Sequence, residues 1–244
     1  MYSFKGRVRY SETDSNENLT LIAILNYFQD CSTFHSEDLG VGMDVLKEMG
    51  HFWVLNYWQI DVYRYPYLCE EIEIGTQAYD CRGFLGYRNF YMNDKDGKRA
   101  AAANTLWTYL DMESSKPMHI PEKITNAYGK DEKLDMDYEP RKIKFPEDAV
   151  KREEEPFEVK RQHLDANNHV NNGQYVQMAL DYLKSDLKVD RMRAEYKMQA
   201  LLGDMVYPVI YEADDYTAVS LNKEDGNPYA VVEFKCLNWE NIKS

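Results

Sequence analysis

Hydrophobic and polar positions follow two periods along this chain, and the same order of periods occurs twice. Residues 4–11 alternate as a strand does and lead into the polar turn SETDSNENL. From about Leu19 to Asp38 the spacing becomes helical, with Ile24, Tyr27, Phe28 and Cys31 on one face. Gly40, Gly42 and Gly50 bracket VGMDVLKEMG, which reads as a further turn or two of helix. From Trp53 onward alternate residues are apolar. WVLNYWQIDVY, EIEIGTQAYD, FLGYRNFYMN and RAAAANTLWTYLD each read as a strand, with DKDG as a hairpin turn.

The second half repeats that order. The stretch from Phe157 to Tyr182 is extended to near His163, passes through a polar turn and becomes helical. RMRAEYKMQ, DMVYPVIYEAD, YTAVSLN and YAVVEFKCLNW follow as strands, with EDGNP as the matching hairpin turn. Subtracting 151 carries Val159, Lys160, Asp165, Asn167, His169 and Val170 onto Val8, Arg9, Asp14, Asn16, Asn18 and Leu19. It also carries the apolar stripe Tyr175, Met178, Ala179 and Tyr182 onto that of the first helix. In the strand blocks the offset is 134, aligning Asp61 with Glu195, so the first copy is 17 residues longer between helix and sheet. The pattern predicts an α+β fold of two tandem units, residues 1–120 and 157–244, each a long helix wrapped by a curved antiparallel sheet. Residues 121–156, rich in proline and charge, read as a linker.

At 244 residues with 44% hydrophobic content, the chain has enough apolar material for a sizeable core. The net charge of −13 argues against non-specific binding to nucleic acid or anionic membranes. Four scattered cysteines without a CxxC pair fit reduced thiols better than a disulfide framework or zinc site. The amino terminus lacks a signal-peptide core and no run of apolar residues spans a bilayer, so a cytoplasmic protein is expected.

Candidate chemistry sits in the second turn. Asp165, Asn167 and His169 place a carboxylate, an amide and an imidazole at the positive end of a helix dipole. Taken alone, Asp165 reads more often as a turn or cap residue, and His169 more often as an ordinary surface histidine. Asp14, Asn16 and Asn18 form the same constellation without the imidazole and read as structural, which leaves one competent site. A calcium loop is excluded because its glycine and glutamate positions hold Val170 and Val176. His163 and His169 do not have a common zinc spacing, and no metal or cofactor is expected. No serine-nucleophile elbow or glycine-rich phosphate loop is present.

LDANNHVNNGQY, with the duplicated plan around it, resembles the bacterial type of the acyl-acyl-carrier-protein thioesterase family over the whole chain. The resemblance implies a tandem double hotdog fold and places the catalytic Asp, Asn and His on Asp165, Asn167 and His169. It also implies a second acid within a segment Glu-Tyr-Arg-Arg-Glu-Cys. Here that segment is Glu195-Tyr196-Lys197-Met198-Gln199-Ala200, so Gln199 stands at the acid's place. Glutamine can position water but cannot take its proton, which leaves Asp165 as base or nucleophile. The backbone N–H groups of Val170 and Asn171 are the candidate oxyanion donors.

The expected activity is hydrolysis of fatty acyl thioesters on acyl carrier protein, releasing free fatty acid in fatty acid biosynthesis. An acyl-CoA thioesterase and a non-catalytic acyl-binding hotdog protein are the alternatives, and a homodimer is left open. An acidic carrier needs a local basic patch on this acidic chain. Lys184, Lys188, Arg191, Arg193 and Lys197, with Arg141, Lys142 and Lys144, are the candidate cations.

Overall fold

The computed structural model describes residues 1–183 and 188–236. It divides into two compact units. One takes Met1–Asn56 and Ile60–Tyr138, and the other takes Tyr57–Gln59 and the described residues from Glu139 onward.

The first unit runs β1 (Tyr2–Arg7), α1 (Leu21–Asp38), α2 (Met43–Glu48), β2 (His51–Val62), β3 (Glu71–Arg82), β4 (Leu85–Asp94), β5 (Arg99–Asp111) and α3 (Glu122–Tyr128). Its strand order is β1-β3-β4-β5-β2, with β1/β3, β3/β4 and β4/β5 antiparallel. Helix α1 begins where Thr20 Oγ1 accepts the Ala23 N–H at 3.2 Å, and it packs on β3. The predicted stripe Ile24, Tyr27, Phe28 and Cys31 is buried, with the Phe28 ring 5.4 Å from that of Phe90 on β4. Each such side chain contributes about 1.5–3 kcal/mol on burial. Helix α2, within the predicted glycine-bracketed segment, buries Leu46 among Val41, Tyr109, Ile120 and Ile124. Gly75 is required in β3, because a Cβ there would sit 2.1 Å from the Tyr91 ring lying across it.

The second unit runs β6 (Val150–Glu153), β7 (Phe157–Glu158), α4 (Asn172–Leu180), β8 (Arg191–Tyr196), β9 (Met205–Ala213), β10 (Tyr216–Asn222) and β11 (Pro228–Lys235). Its strand order is β8-β11-β10-β9-β6, and β7 also pairs with β9. Helix α4 packs on β10 and β11 and buries Tyr175, Val176, Met178 and Ala179. It ends at Leu180, so Tyr182, the last member of the expected stripe, falls beyond it. The strand expected at YAVVEFKCLNW ends at Lys235, and its positions 237–239 lie outside the described residues. The stretch 121–156, expected as a linker, carries α3 and the antiparallel partner β6 of β9.

The units hold their buried arginines differently. In the second, Arg193 meets Glu233 through two bonds of 2.6 and 2.7 Å, and Arg191 meets Glu139 at 2.9 Å. In the first, Arg88 has neutral partners: Nη1 donates to His35 Nδ1 at 2.9 Å and to Thr76 Oγ1 at 3.1 Å, and the guanidinium lies 5.0 Å from the Tyr128 ring centre. Burial, and then the Arg88 charge, push the His35 pKa down to about 4.

Candidate active site

The chain enters α4 through a five-residue turn that its own backbone closes. The Asp165 N–H donates to the His169 carbonyl at 2.8 Å, and the Asn168 N–H donates to the Asp165 carbonyl at 3.1 Å. Asp165 Oδ1 accepts the N–H groups of Asn167 and His169 at 2.8 and 3.3 Å. The loop closes because Asn168 adopts φ of 61°, a left-handed conformation that asparagine tolerates better than most residues. Asn171 Oδ1 then accepts the Gly173 N–H at 2.8 Å and caps α4.

Asp165, Asn167 and His169 are thus brought together, with Asp165 and His169 half-buried and Asn167 exposed. The Asp165 carboxylate meets the main chain of His169; among the described residues no bond joins it to the His169 ring. One carboxylate oxygen shapes the turn, and Oδ2 has no hydrogen-bond partner among the described residues.

The oxyanion expectation needs correction. The Val170 N–H donates to the Ala200 carbonyl at 3.0 Å and the Asn171 N–H to the His163 carbonyl at 2.9 Å. Both donors are consumed in holding the turn to its neighbours. In the first turn of α4, the N–H of Asn172 has no partner among the described residues.

Gln199 is exposed on the connection between β8 and β9. Its neighbour Ala200 is fastened twice, its carbonyl taking the Val170 N–H and its own N–H donating to the Tyr175 hydroxyl at 2.8 Å. The Tyr196 hydroxyl donates to the Asn172 carbonyl at 2.9 Å. Burial pushes the Tyr175 phenol up to about 12 and raises Tyr196 as well, so both remain neutral hydrogen-bonding groups. Sequence reasoning did not assign Tyr175, Tyr196 and Ala200 these supporting roles. The 134-residue offset that aligns the strand blocks also sets Ala200 against Pro66, which was the available signal.

The first turn repeats this pattern almost bond for bond. Asp14 Oδ1 accepts the Asn16 and Asn18 N–H groups at 2.8 and 3.0 Å, and the Asp14 N–H donates to the Asn18 carbonyl at 2.8 Å. Glu17 has φ of 62°, the Leu19 N–H donates to the Pro66 carbonyl at 2.7 Å, and the Thr20 N–H donates to Glu12 at 2.9 Å. Side-chain pairing also differs, besides the missing imidazole. Tyr67 closes on the Glu17 carboxylate, and Arg9 is paired with Glu12 at 2.6 Å. The aligned residues of the second copy are Leu201, Asn168, Lys160 and His163.

Most of the cations expected to form a basic patch are committed elsewhere. Arg191 and Arg193 are only 3% and 4% exposed, because carboxylates of Glu139 and Glu233 hold them inside the unit. Lys197 pairs with Glu195, Lys188 lies 3.9 Å from Asp190 and Arg141 lies 3.7 Å from Glu195. Lys142 and Lys144 are exposed, and Lys184 lies outside the described residues.

Residues 1–128 match the family model of the acyl-ACP thioesterase N-terminal domain, and residues 146–224 match that of the C-terminal domain. The chain belongs to the acyl-ACP thioesterase family. Oleoyl-acyl carrier protein thioesterase 1, chloroplastic, of Arabidopsis thaliana is 22% identical over 230 residues, covering 84% of this chain and 62% of the relative. The chain spans about three fifths of the length of the curated relatives it matches. An acyl-ACP thioesterase from Bacteroides thetaiotaomicron superposes with a TM-score of 0.87 at 24% identity, covering 96% of each chain. The 12:0-ACP thioesterase of Umbellularia californica gives 0.81 at 16% identity, again covering 96% of each. At these identities the likeness is one of fold, and the α+β fold of two hotdog units expected from the sequence is found. Among the described residues no helix is long and apolar enough to cross a membrane.

Proposed function

We propose that the protein hydrolyses fatty acyl thioesters of acyl carrier protein and releases free fatty acid for lipid metabolism. The observation that carries this reading is the duplicated turn, built twice with the same bonds and given an imidazole only in the copy that opens α4. Family membership supports the substrate class.

Hydrolysis needs a base for water, donors for the oxyanion and a leaving thiolate that regains a proton. Asp165 Oδ2 is the base, while Oδ1 stays fixed by two N–H groups. Asn167 and His169 orient the water and the carbonyl. The Asn172 N–H, at the positive end of α4, replaces Val170 and Asn171 as the oxyanion donor. Gln199, held beside the turn through Ala200, positions water without accepting its proton.

The test is turnover of a panel of acyl-carrier-protein and acyl-CoA thioesters, with Asp165→Ala alongside. The reading expects faster turnover of the carrier-bound set and loss of turnover in the variant. Preference for CoA would make the protein an acyl-CoA thioesterase. Tight acyl binding without turnover in the wild type would favour the non-catalytic binder, a reading that Gln199 at an acid's position keeps open.

A further inference from the structure

Resting on that reading, we propose that a rim of Lys160, Arg161, Leu201 and Leu202 beside the Asp165 turn is the docking surface for the acidic carrier protein. The rim belongs to one hydrogen-bonded piece of backbone. The Val159 N–H donates to the Asp204 carbonyl at 2.9 Å and the Gly203 N–H returns to Val159 at 3.0 Å, which sets Lys160 beside the Leu201–Asp204 turn. The Ala200 carbonyl, one residue before Leu201, receives the Val170 N–H and ties the rim to the candidate catalytic turn.

Leu201 and Leu202 are 50% and 53% exposed, and Met198 and Met205 beside them are also exposed. Single exposed apolar side chains are ordinary, but four within eight residues make a patch that favours contact with another molecule. Lys160 and Arg161 are exposed and have no carboxylate partner among the described residues. The acids on the same stretch are Glu158, which is exposed, and Asp204, whose Oδ2 accepts the Leu201 N–H at 2.9 Å.

The first copy has the same backbone piece, with Cys69 and Glu70 bonded to Val8, yet presents no such rim. There Arg9 is neutralised by Glu12, Tyr67 covers the turn by reaching Glu17, and Arg64 is held by Glu70 at 2.5 Å. In the second copy His163 and Asn168 stand where those two turn carboxylates were, and Met198 stands where Arg64 was. The changes remove self-pairing from one turn only, the one that carries the imidazole. An acidic partner with apolar contacts fits this mixture of free cations and leucines, and it delivers its thioester next to Asp165.

The test uses two double variants, Lys160→Glu with Arg161→Glu and Leu201→Ser with Leu202→Ser. Each is assayed on one acyl chain carried either by the acyl carrier protein or by uncharged N-acetylcysteamine. Binding of labelled carrier protein is measured separately, so that the result does not depend on turnover. The expected outcome is a KM for carrier-bound substrate raised at least about tenfold, with kcat and the N-acetylcysteamine reaction changed less than about twofold. Carrier binding weakens in parallel, and added salt raises KM for the wild type more than for the charge variant. Unchanged carrier kinetics and binding, or equal losses on both thioesters, would overturn the docking surface. So would loss of a dimer, seen by sedimentation, in place of loss of carrier binding. A wild type that binds carrier through this rim but hydrolyses nothing would leave the docking surface standing and remove the hydrolase reading instead.

Discussion

Two turns in this molecule are nearly superimposable in their hydrogen bonds and opposite in what surrounds them. Around Asp14 the neighbouring side chains pair with one another, Arg9 with Glu12 and Tyr67 with Glu17. Around Asp165 the aligned side chains are Lys160, His163, Leu201 and Asn168; among the described residues they do not pair with one another, and the His163 ring keeps only the Lys160 main-chain N–H, at 3.0 Å. The shape of such a turn is therefore set by the aspartate and the left-handed residue. Whether it can meet another molecule is set by side chains that contribute little to its shape.

The sharpest way to break this comparison is to swap the carboxylates for amides. Asparagine keeps an oxygen for the two backbone N–H groups but cannot serve as a base. Asp165→Asn is expected to lower kcat by about 10³-fold, while Asp14→Asn changes it less than about twofold. Equal losses, read as thioester turnover, would show that the first turn is not merely structural.

The buried arginines give the next largest effect. His35 is neutral in the folded first unit because burial and Arg88 push its pKa down to about 4, against 6.5 when exposed. Stability from this group is complete above about 6.5 and is lost as pH falls toward about 4, by up to about 3 kcal/mol. His35→Gln is expected to flatten that part of a denaturant-midpoint-against-pH curve. In the second unit, the buried Arg193 carries its own carboxylate partner and needs no neutral histidine.

Making the second turn resemble the first is a smaller test. His169→Asn restores the residue found at Asn18 and is expected to cost about 10²-fold in kcat. Because the bonds around the turn are main-chain bonds, the melting temperature should move by less than about 2 °C, corresponding to at most about 1 kcal/mol.

The smallest effect concerns stability alone. Asp14→Ala and Asp165→Ala each remove an oxygen that accepts two N–H groups, and each is expected to cost about 1 kcal/mol. Chemical denaturation giving clearly unequal costs would mean that the two turns are less alike than their bonds suggest.

Much of this was legible in the chain because both offsets survive in letters that matter for packing. The helical stripe from Ile24 to Cys31 and the apolar run in RAAAANTLWTYLD mark buried elements, and α1 and β5 lie where those patterns put them. Strand β6 was hidden because Val-Lys-Arg-Glu has one apolar residue and lies mostly exposed at a sheet edge. The fate of Arg193 was hidden for another reason. A sequence shows that a residue is charged, but not that Glu233, forty positions away, faces it across adjacent strands. The partners of the Val170 and Asn171 N–H groups are hidden likewise, since their acceptors at Ala200 and His163 come from separate segments.

Asp165 Oδ1 accepts two main-chain N–H groups of its own turn, which fixes the direction in which Oδ2 points. The two bonds hold the side chain in one rotamer, so the free oxygen keeps one position relative to the start of α4. A carboxylate aimed in advance spares any reaction at that oxygen the reorganisation that a freely rotating one would need.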